Sequence, residues 1–210
     1  MEFNEFKDEI ELIIRQNNVE CALYPLIYRV MISALSKDAF SLMDTTDLKK
    51  QRGSNVEAFA IRMYEYEKDG KKASGAADYL IADREFTYKA TSRDKIYGCI
   101  EIKALNKNPG ENISDKPQFR AELLSFGKLI VTTGLIWRFY TAERDNNSDI
   151  FSPVWEFVLG NYSFNDNKKI HISCEDNIKW NDAEQWDELK QKLESIGWKN
   201  EELLNPNRKV

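Results

Sequence analysis

The chain has 210 residues, of which 42% are hydrophobic and 31% are charged, with 9 glycines and 5 prolines. This length is typical of one domain, and the composition excludes collagen-like, low-complexity and intrinsically disordered chains. The 35 acidic and 30 basic residues give a net charge of −5. An acidic balance counts mildly against a nucleic-acid-binding protein but does not exclude one, because local patches of charge matter more than the sum.

The sequence contains no targeting or membrane-spanning pattern. No stretch approaches the roughly 18 consecutive apolar residues of a transmembrane helix, and the first residues, MEFNEFKDEI, are acidic and polar, unlike a signal peptide. Cys21, Cys99 and Cys174 lie far apart and have no Cys-x-x-Cys spacing, so neither a disulfide framework nor a zinc site is indicated. We therefore expect a cytoplasmic protein that does not enter a membrane.

The only histidine is His171, in a segment that alternates like a strand, and an ordinary strand residue is the simplest interpretation of it. Because the chain has one histidine, Ser-His-Asp triads, His-ligated metal sites and His-based nuclease motifs are disfavoured. Any catalysis must then rest on carboxylates and lysine, with or without a metal ion.

In chain order, the predicted elements of the first half are two helices and three strands. Residues 4–15 have apolar side chains at helical spacing, and a second apolar helix, over residues 19–36, carries Pro25 in its first turns. Residues 37–55 are polar and turn-rich, which predicts a loop. Two strands that form a hairpin around the turn Lys68-Asp69-Gly70, and a third strand, follow over residues 56–67, 75–83 and 97–105.

The second half is predicted to contain further strands between two helices. Residues 118–128 have an apolar face with Gly127 as a C-cap, and residues 183–196 are amphipathic. Trp137, Phe139 and Tyr140 are expected in the core rather than as platforms for base stacking. This order of elements predicts an α/β protein in one domain, residues 1–210, with a mixed central β-sheet flanked by helices. The remaining predicted strands cover residues 129–133, 135–141, 154–159 and 169–173.

Charged residues interrupt two of the predicted apolar strands. Asp78 lies in the strand of residues 75–83, and Glu101 and Lys103 lie in that of residues 97–105. Since side chains alternate along a strand, Glu101 and Lys103 point to one face and the isoleucines beside them point to the other. Charges in an apolar strand cost free energy unless they are paired or bind a metal ion.

A shared metal ion accounts for all three charges. On adjacent strands, Asp78 and Glu101 would repel each other as bare carboxylates, but their oxygens would bind Mg²⁺ or Mn²⁺. The carbonyl oxygen of Ile102 is a candidate third ligand. Lys103 could orient or deprotonate a water molecule, or stabilise charge on a phosphate, as metal-assisted attack on a phosphodiester requires. Two other interpretations remain open: an ordinary solvated strand, and a structural salt bridge between Asp78 and Lys103.

The charged strands belong to a longer series of motifs, in which a G-x-x-D-Y strand precedes a hydrophobic-E-x-K strand. A helix that begins near a glutamine follows, and then a strand that ends in T-x-G-x-x-W-x-x-Y. This series, over residues 17–141, resembles the PD-(D/E)XK nuclease superfamily, and most closely the N-terminal nuclease domain of type I restriction enzyme R subunits. The matching residues are Gly75, Asp78, Tyr79, Glu101, Lys103, Gln118 and Thr132–Tyr140.

The resemblance implies a restriction-endonuclease-like core, followed by a C-terminal strand and helix extension over residues 150–200. It also implies roles for individual residues of this chain. Asp78 and Glu101 would bind the metal ion, Lys103 would assist catalysis, and Gln118 would be an accessory residue of the site.

Other positions extend the pattern or depart from it. The family often adds an acid on an early helix, and Glu20 is the candidate here; the alternative is an acid favoured by the dipole at the start of a helix. Ala77 stands in place of the proline that names the superfamily. Glu122 stands where the R subunits carry a tyrosine, four residues after the glutamine.

The predicted function is a Mg²⁺-dependent nuclease that hydrolyses DNA phosphodiester bonds in restriction, phage defence or repair. DNA is the expected partner, and because members that cut both strands commonly dimerise, the resemblance leaves a homodimer open. The alternative is a catalytically inert binding module or subunit with a nuclease fold. The acidic net charge and the missing tyrosine favour this alternative, whereas the complete set of Asp78, Glu101 and Lys103 favours the enzyme.

Overall fold

The computed structural model describes residues 1–17, 19–46, 62–87, 89–105, 107, 117–142, 151–162 and 178–199. Several sequence predictions fall outside these ranges. They are the strand over residues 169–173 with His171, the first part of the strand over residues 56–67, and the position of Cys174.

Helix α1 covers Phe3–Asn17, as the sequence predicts, and α2 covers Tyr24–Ala34 after a 3-10 turn at Glu20–Leu23. The predicted second helix is therefore divided, and Glu20 lies on the 3-10 turn. Pro25 explains the division, because it has no amide hydrogen to continue the α-helical ladder at this point. None of the described helices is both long and apolar enough to cross a membrane.

The described residues form ten strands, one large sheet and two small ones. Two more helices, α3 (Pro117–Phe126) and α4 (Ala183–Glu194), complete the architecture. In chain order the strands are β1 (Phe40–Asp44), β2 (Tyr64–Lys68), β3 (Lys71–Gly75), β4 (Tyr79–Asp83), β5 (Ile96–Ile102), β6 (Lys128–Thr132), β7 (Ile136–Thr141), β8 (Trp155–Val158), β9 (Gly160–Tyr162) and β10 (Ile178–Trp180).

The large sheet has the strand order β1-β4-β5-β6-β7-β8. Strands β5 and β6 are parallel, with α3 in the connection between them, and the other neighbours are antiparallel. A mixed sheet with helices confirms the predicted α/β class. Strands β2 and β3 form a separate hairpin, and β9 pairs with β10.

Two predictions about the strands are wrong. The hairpin turn at Asp69-Gly70 joins β2 to β3, whereas most of the predicted second strand is β4 of the large sheet. Strand β3 ends at Gly75 and β4 begins three residues beyond Ala76, a change of sheet that an alternating pattern does not reveal. Strand β1 lies within the range that the sequence predicted to be a loop. The sequence did not reveal this strand because it is at the edge of the sheet and only Leu42 in it is buried, so its apolar pattern is weak.

The large sheet separates two apolar clusters, because alternate residues of each strand face opposite sides. Ile100 and Ile130 pack with residues of α1, α2 and α4 on one side. Cys99 and Leu129 pack with residues of α3 and the β2–β3 hairpin on the other. Glu101 has the same parity along β5 as Cys99, so it faces α3 and the hairpin.

The aromatic residues of β7 lie in these clusters. Trp137, Phe139 and Tyr140 are all buried, which confirms that they are core residues. On the side of Trp137, the indole of Trp186 from α4 stacks on Phe6 of α1, with 4.5 Å between the ring centroids. Helices α1 and α4 therefore pack directly against each other.

The residues that follow α4 lie against the sheet at Gly98. Lys128, at the start of β6, donates hydrogen bonds to the carbonyl oxygens of Gly197 and Trp198. A Cβ atom at Gly98 would lie 2.6 Å from Cζ3 of Trp198, closer than two carbon atoms approach each other. This position therefore requires glycine, because the indole covers it.

We expect Gly98→Ala to lower the free energy of unfolding by about 2 kcal/mol, because the indole must move to accommodate the methyl group. Urea denaturation of parent and variant measures the difference. In a Trp198→Leu background the same substitution should cost much less. An equal cost in both backgrounds would show that Trp198 is not the source of the conflict.

Candidate active site

Asp78 lies immediately before β4, where the chain passes from the hairpin to the large sheet. Its amide donates to the carbonyl oxygen of Ile100 (3.1 Å), and its carbonyl oxygen accepts a hydrogen bond from the amide of Thr45 (3.1 Å). The Thr45 hydroxyl also donates to the carbonyl oxygen of Ala77. The backbone at Asp78 is thus held between the end of β1 and β5.

The register of β4 and β5 brings Asp78 to Glu101. Tyr79 pairs with Ile100, and Asp78, the residue before Tyr79, therefore lies beside the end of β5 that carries Glu101. Oδ2 of Asp78 accepts a hydrogen bond from the amide of Ile102 at 2.7 Å. Asp78 is completely buried and Glu101 is 1% exposed. Asp78 therefore adjoins the strand that carries Glu101, and the observed contact of Ile102 with Asp78 is through its amide.

Glu101 Oε1 contacts two donors. The ammonium of Lys103 forms an ion pair with it, and Nε2 of Gln118, in the first turn of α3, donates to it at 2.9 Å. The Lys103 side chain is 24% exposed, and its Nζ lies 5.4 Å from the ring centroid of Phe119. The observed ion pair thus joins Lys103 to Glu101, whereas the structural alternative drawn from the sequence joined Lys103 to Asp78.

The protonation of Lys103 follows from its neighbours. Burial disfavours the charged form, but the negative charge of Glu101 and the hydrogen bond to it, with the charges of Glu20 and Asp78, outweigh burial and raise the pKa of Lys103. Lys103 is therefore an ammonium group at neutral pH. In this form it neutralises negative charge and donates hydrogen bonds, but it cannot take a proton from water.

Glu20 is connected to the acids through Tyr24, a residue that the sequence reasoning missed. The Tyr24 hydroxyl donates to Oδ1 of Asp78 at 2.9 Å and lies 3.4 Å from Oε1 of Glu20. Burial, followed by the charges of Asp78 and Glu20, raises the pKa of Tyr24 far above its usual value, so the phenol keeps its proton. The four-residue spacing from Glu20 was the only signal in the sequence.

A further acid, Glu122, lies one turn beyond Gln118 on α3. Glu122 is completely buried, and its Oε1 accepts a hydrogen bond from Nε2 of Gln118 at 3.3 Å. Burial, and then the charge of Glu101, raises the pKa of Glu122 well above its usual value, while a hydrogen bond from Tyr64 of β2 acts in the opposite direction. The sequence marked Glu122 only as a departure from a pattern, although an acid on the apolar face of a helix was itself a signal.

The structure brings together the side chains of all five predicted site residues. Carboxylate oxygens are the ligands that Mg²⁺ prefers, so Asp78 and Glu101 are chemically suited to hold an ion. Among the residues that the structure describes, no group of three or more His, Cys, Asp or Glu side chains is arranged to hold a metal ion. The ion and the ligand role of the Ile102 carbonyl stay predictions. The five side chains are those of Glu20, Asp78, Glu101, Lys103 and Gln118.

Comparison of the chain with protein-family models, with curated proteins and with solved structures finds no match. The resemblance to PD-(D/E)XK nucleases therefore stays a prediction from the motifs in the sequence. A function can be proposed only from the chemistry of the side chains described above.

Proposed function

We propose that this protein is a Mg²⁺-dependent nuclease that hydrolyses DNA phosphodiester bonds and has a restriction-endonuclease-like core. The observation that carries the proposal is the hydrogen bond from the Ile102 amide, between Glu101 and Lys103, to the Asp78 carboxylate, which fixes Asp78 beside the E-x-K triplet. An acid on one strand and an E-x-K triplet on the next are the parts that such a site requires. Restriction, phage defence or repair is the proposed setting, and a homodimer is the proposed form on duplex DNA.

Each residue of the site has a separate task in this proposal. Asp78 and Glu101 hold the ion, which when bound activates a water molecule and stabilises charge on the phosphate. Lys103, as an ammonium group, donates to a phosphate oxygen and stabilises the negative charge that develops there, a role that its raised pKa favours over that of a base. Gln118 keeps Glu101 in place through their hydrogen bond.

The exposure of the site residues suits a substrate that approaches from one side. Asp78 and Glu101 are buried, whereas Glu20, Lys103 and Gln118 are each partly exposed. Lys103 is the cation among these partly exposed side chains, so a phosphate that reaches them can contact an ammonium group. The DNA backbone offers such a phosphate, and an ion held by Asp78 and Glu101 would lie beside it.

A catalytically inert binding module with the same fold is the second candidate. The observation that favours it is that both acids already have protein partners: Tyr24 and the Ile102 amide for Asp78, and Lys103 and Gln118 for Glu101. In such a module these contacts would only stabilise the fold. Divalent cations would then leave the stability of the protein unchanged.

A cleavage assay separates the two candidates. Supercoiled plasmid, single-stranded DNA and RNA are incubated with the protein in Mg²⁺, in Mn²⁺ and in EDTA. We expect DNA cleavage that depends on the divalent ion and is lost in a Glu101→Gln variant purified in parallel, which controls for a contaminating nuclease. Cleavage of RNA alone would contradict the proposed substrate. Absence of any cleavage, with a Tm that Mn²⁺ does not raise, would favour the binding module.

A further inference from the structure

The carboxamide of Gln118 lies between two acids. Its Nε2 is 2.9 Å from Oε1 of Glu101 and 3.3 Å from Oε1 of Glu122. A carboxamide nitrogen carries two hydrogens, so one N–H bond serves each acid. The orientation of the Gln118 side chain is therefore determined from two sides.

Glu122 occupies an unusual place for an acid. It is completely buried on the face of α3 that carries Phe119 and Leu123. Both of these residues belong to the apolar cluster that contains Cys99 and Leu129. A buried carboxyl group costs free energy unless it is hydrogen-bonded, and an apolar residue of similar size is often as stabilising or more so. Stability of the helix therefore does not explain an acid here, whereas its contact with Gln118 does.

We propose that Glu122 is a positioning residue that holds the Gln118 carboxamide with one N–H bond directed at Glu101. Rotation of the carboxamide by half a turn would place its oxygen against Oε1 of Glu101, where two acceptors repel each other. The rotated form would also lose the hydrogen bond that Nε2 donates to Oε1 of Glu122. Removal of Glu122 leaves Gln118 held from one side only, and Glu101 less firmly oriented.

This inference rests on the proposed function in one respect: Glu101 is taken to be a ligand of the ion. Partners that orient metal ligands from outside the first coordination sphere typically contribute about 10-fold to 100-fold in affinity or activity. The contact between Glu122 and Gln118 itself does not depend on a metal ion. Its test can therefore be separated from a test of the nuclease.

The test compares Glu122→Leu with the conservative Glu122→Gln, whose side-chain oxygen can still accept from Gln118. Leu123→Val is the control for altered packing on the same helix. Two quantities are measured in the full chain: hydrogen exchange of the Gln118 side-chain N–H signals, assigned by their absence in Gln118→Met, and the affinity for Mn²⁺ by calorimetry. Thermal unfolding of each variant is recorded beside them.

We expect Glu122→Leu to speed the exchange of the Gln118 side-chain protons and to weaken Mn²⁺ binding about 10-fold, with a Tm equal to or above that of the parent. Glu122→Gln and Leu123→Val should keep the exchange and the affinity of the parent. A loss of affinity without a loss of stability distinguishes a positioning role from a structural one.

Three results would overturn the inference. They are unchanged exchange in Glu122→Leu, unchanged Mn²⁺ affinity in that variant when the parent binds Mn²⁺, and the same defects in Glu122→Gln as in Glu122→Leu. If the parent binds no Mn²⁺ but Glu122→Leu still frees the Gln118 carboxamide, the positioning of Gln118 is supported and the proposed metal function is contradicted.

Discussion

Lys103→Met is expected to lower the free energy of unfolding of the metal-free protein by about 3 kcal/mol, because it leaves a buried carboxylate without its cation. Glu101 is 1% exposed, and the ammonium of Lys103 forms an ion pair with its Oε1. We take the lower end of the usual range for a broken buried pair, since the Lys103 side chain is 24% exposed. Urea denaturation in EDTA measures the difference.

The exposed Lys107 provides a matched control, because Lys107→Met makes the same chemical change outside the site. Lys107→Met should leave the urea midpoint within experimental error of the parent. In the presence of Mg²⁺, Lys103→Met should abolish cleavage and leave DNA affinity nearly unchanged, since the ammonium acts on the reacting phosphate. A loss of DNA affinity as large as the loss of rate would show instead that Lys103 is a DNA-docking charge.

Asp78→Asn is expected to preserve the stability of the metal-free protein while lowering the cleavage rate by at least ~10²-fold, because the ion supplies both nucleophile and charge stabilisation. The asparagine oxygen can accept the hydrogen bond of the Ile102 amide. Its NH₂ group can donate to the Tyr24 hydroxyl, whose own hydrogen then turns to Glu20. The substitution also removes one of two facing negative charges.

Melting curves with and without Mn²⁺ check this prediction. The parent should gain about 2.7 kcal/mol at an Mn²⁺ concentration of 100 Kd, and Asp78→Asn should gain nothing. Asp94→Asn, at an exposed aspartate, is the control that should respond to Mn²⁺ as the parent does. If Asp78→Asn melts well below the metal-free parent, Asp78 and Glu101 belong to a structural cluster, and the proposal that they bind a metal ion is wrong.

Local patterns in the sequence predicted most of the elements of the large sheet. Charges inside apolar strands identified Asp78 and Glu101 because burial of a bare carboxylate is so costly that its presence is informative. The E-x-K spacing then placed Lys103 on the same face as Glu101. These signals are local, so they could be read from neighbouring residues.

Contacts between distant segments could not be predicted in the same way. Tyr24 and Asp78 are 54 residues apart in the sequence. The residues that flank each of them give no sign that the two side chains are in contact. The prediction that residues 75–83 form the second strand of the hairpin was wrong for a related reason. The alternating pattern continues past Gly75, although the chain passes there from the hairpin to the large sheet. Strand β1 was missed because an edge strand has few buried residues to mark it.

The contact between α1 and α4 has a consequence for the synthesis of the protein. Trp186, which stacks on Phe6, also donates a hydrogen bond to the carbonyl oxygen of Met1 across 185 residues of chain. At about 5–20 residues per second, the apolar face of α1 waits on the ribosome for roughly 10–40 s before that partner emerges. Because the partner is made so late, this part of the core closes only after Trp186 has emerged from the ribosome.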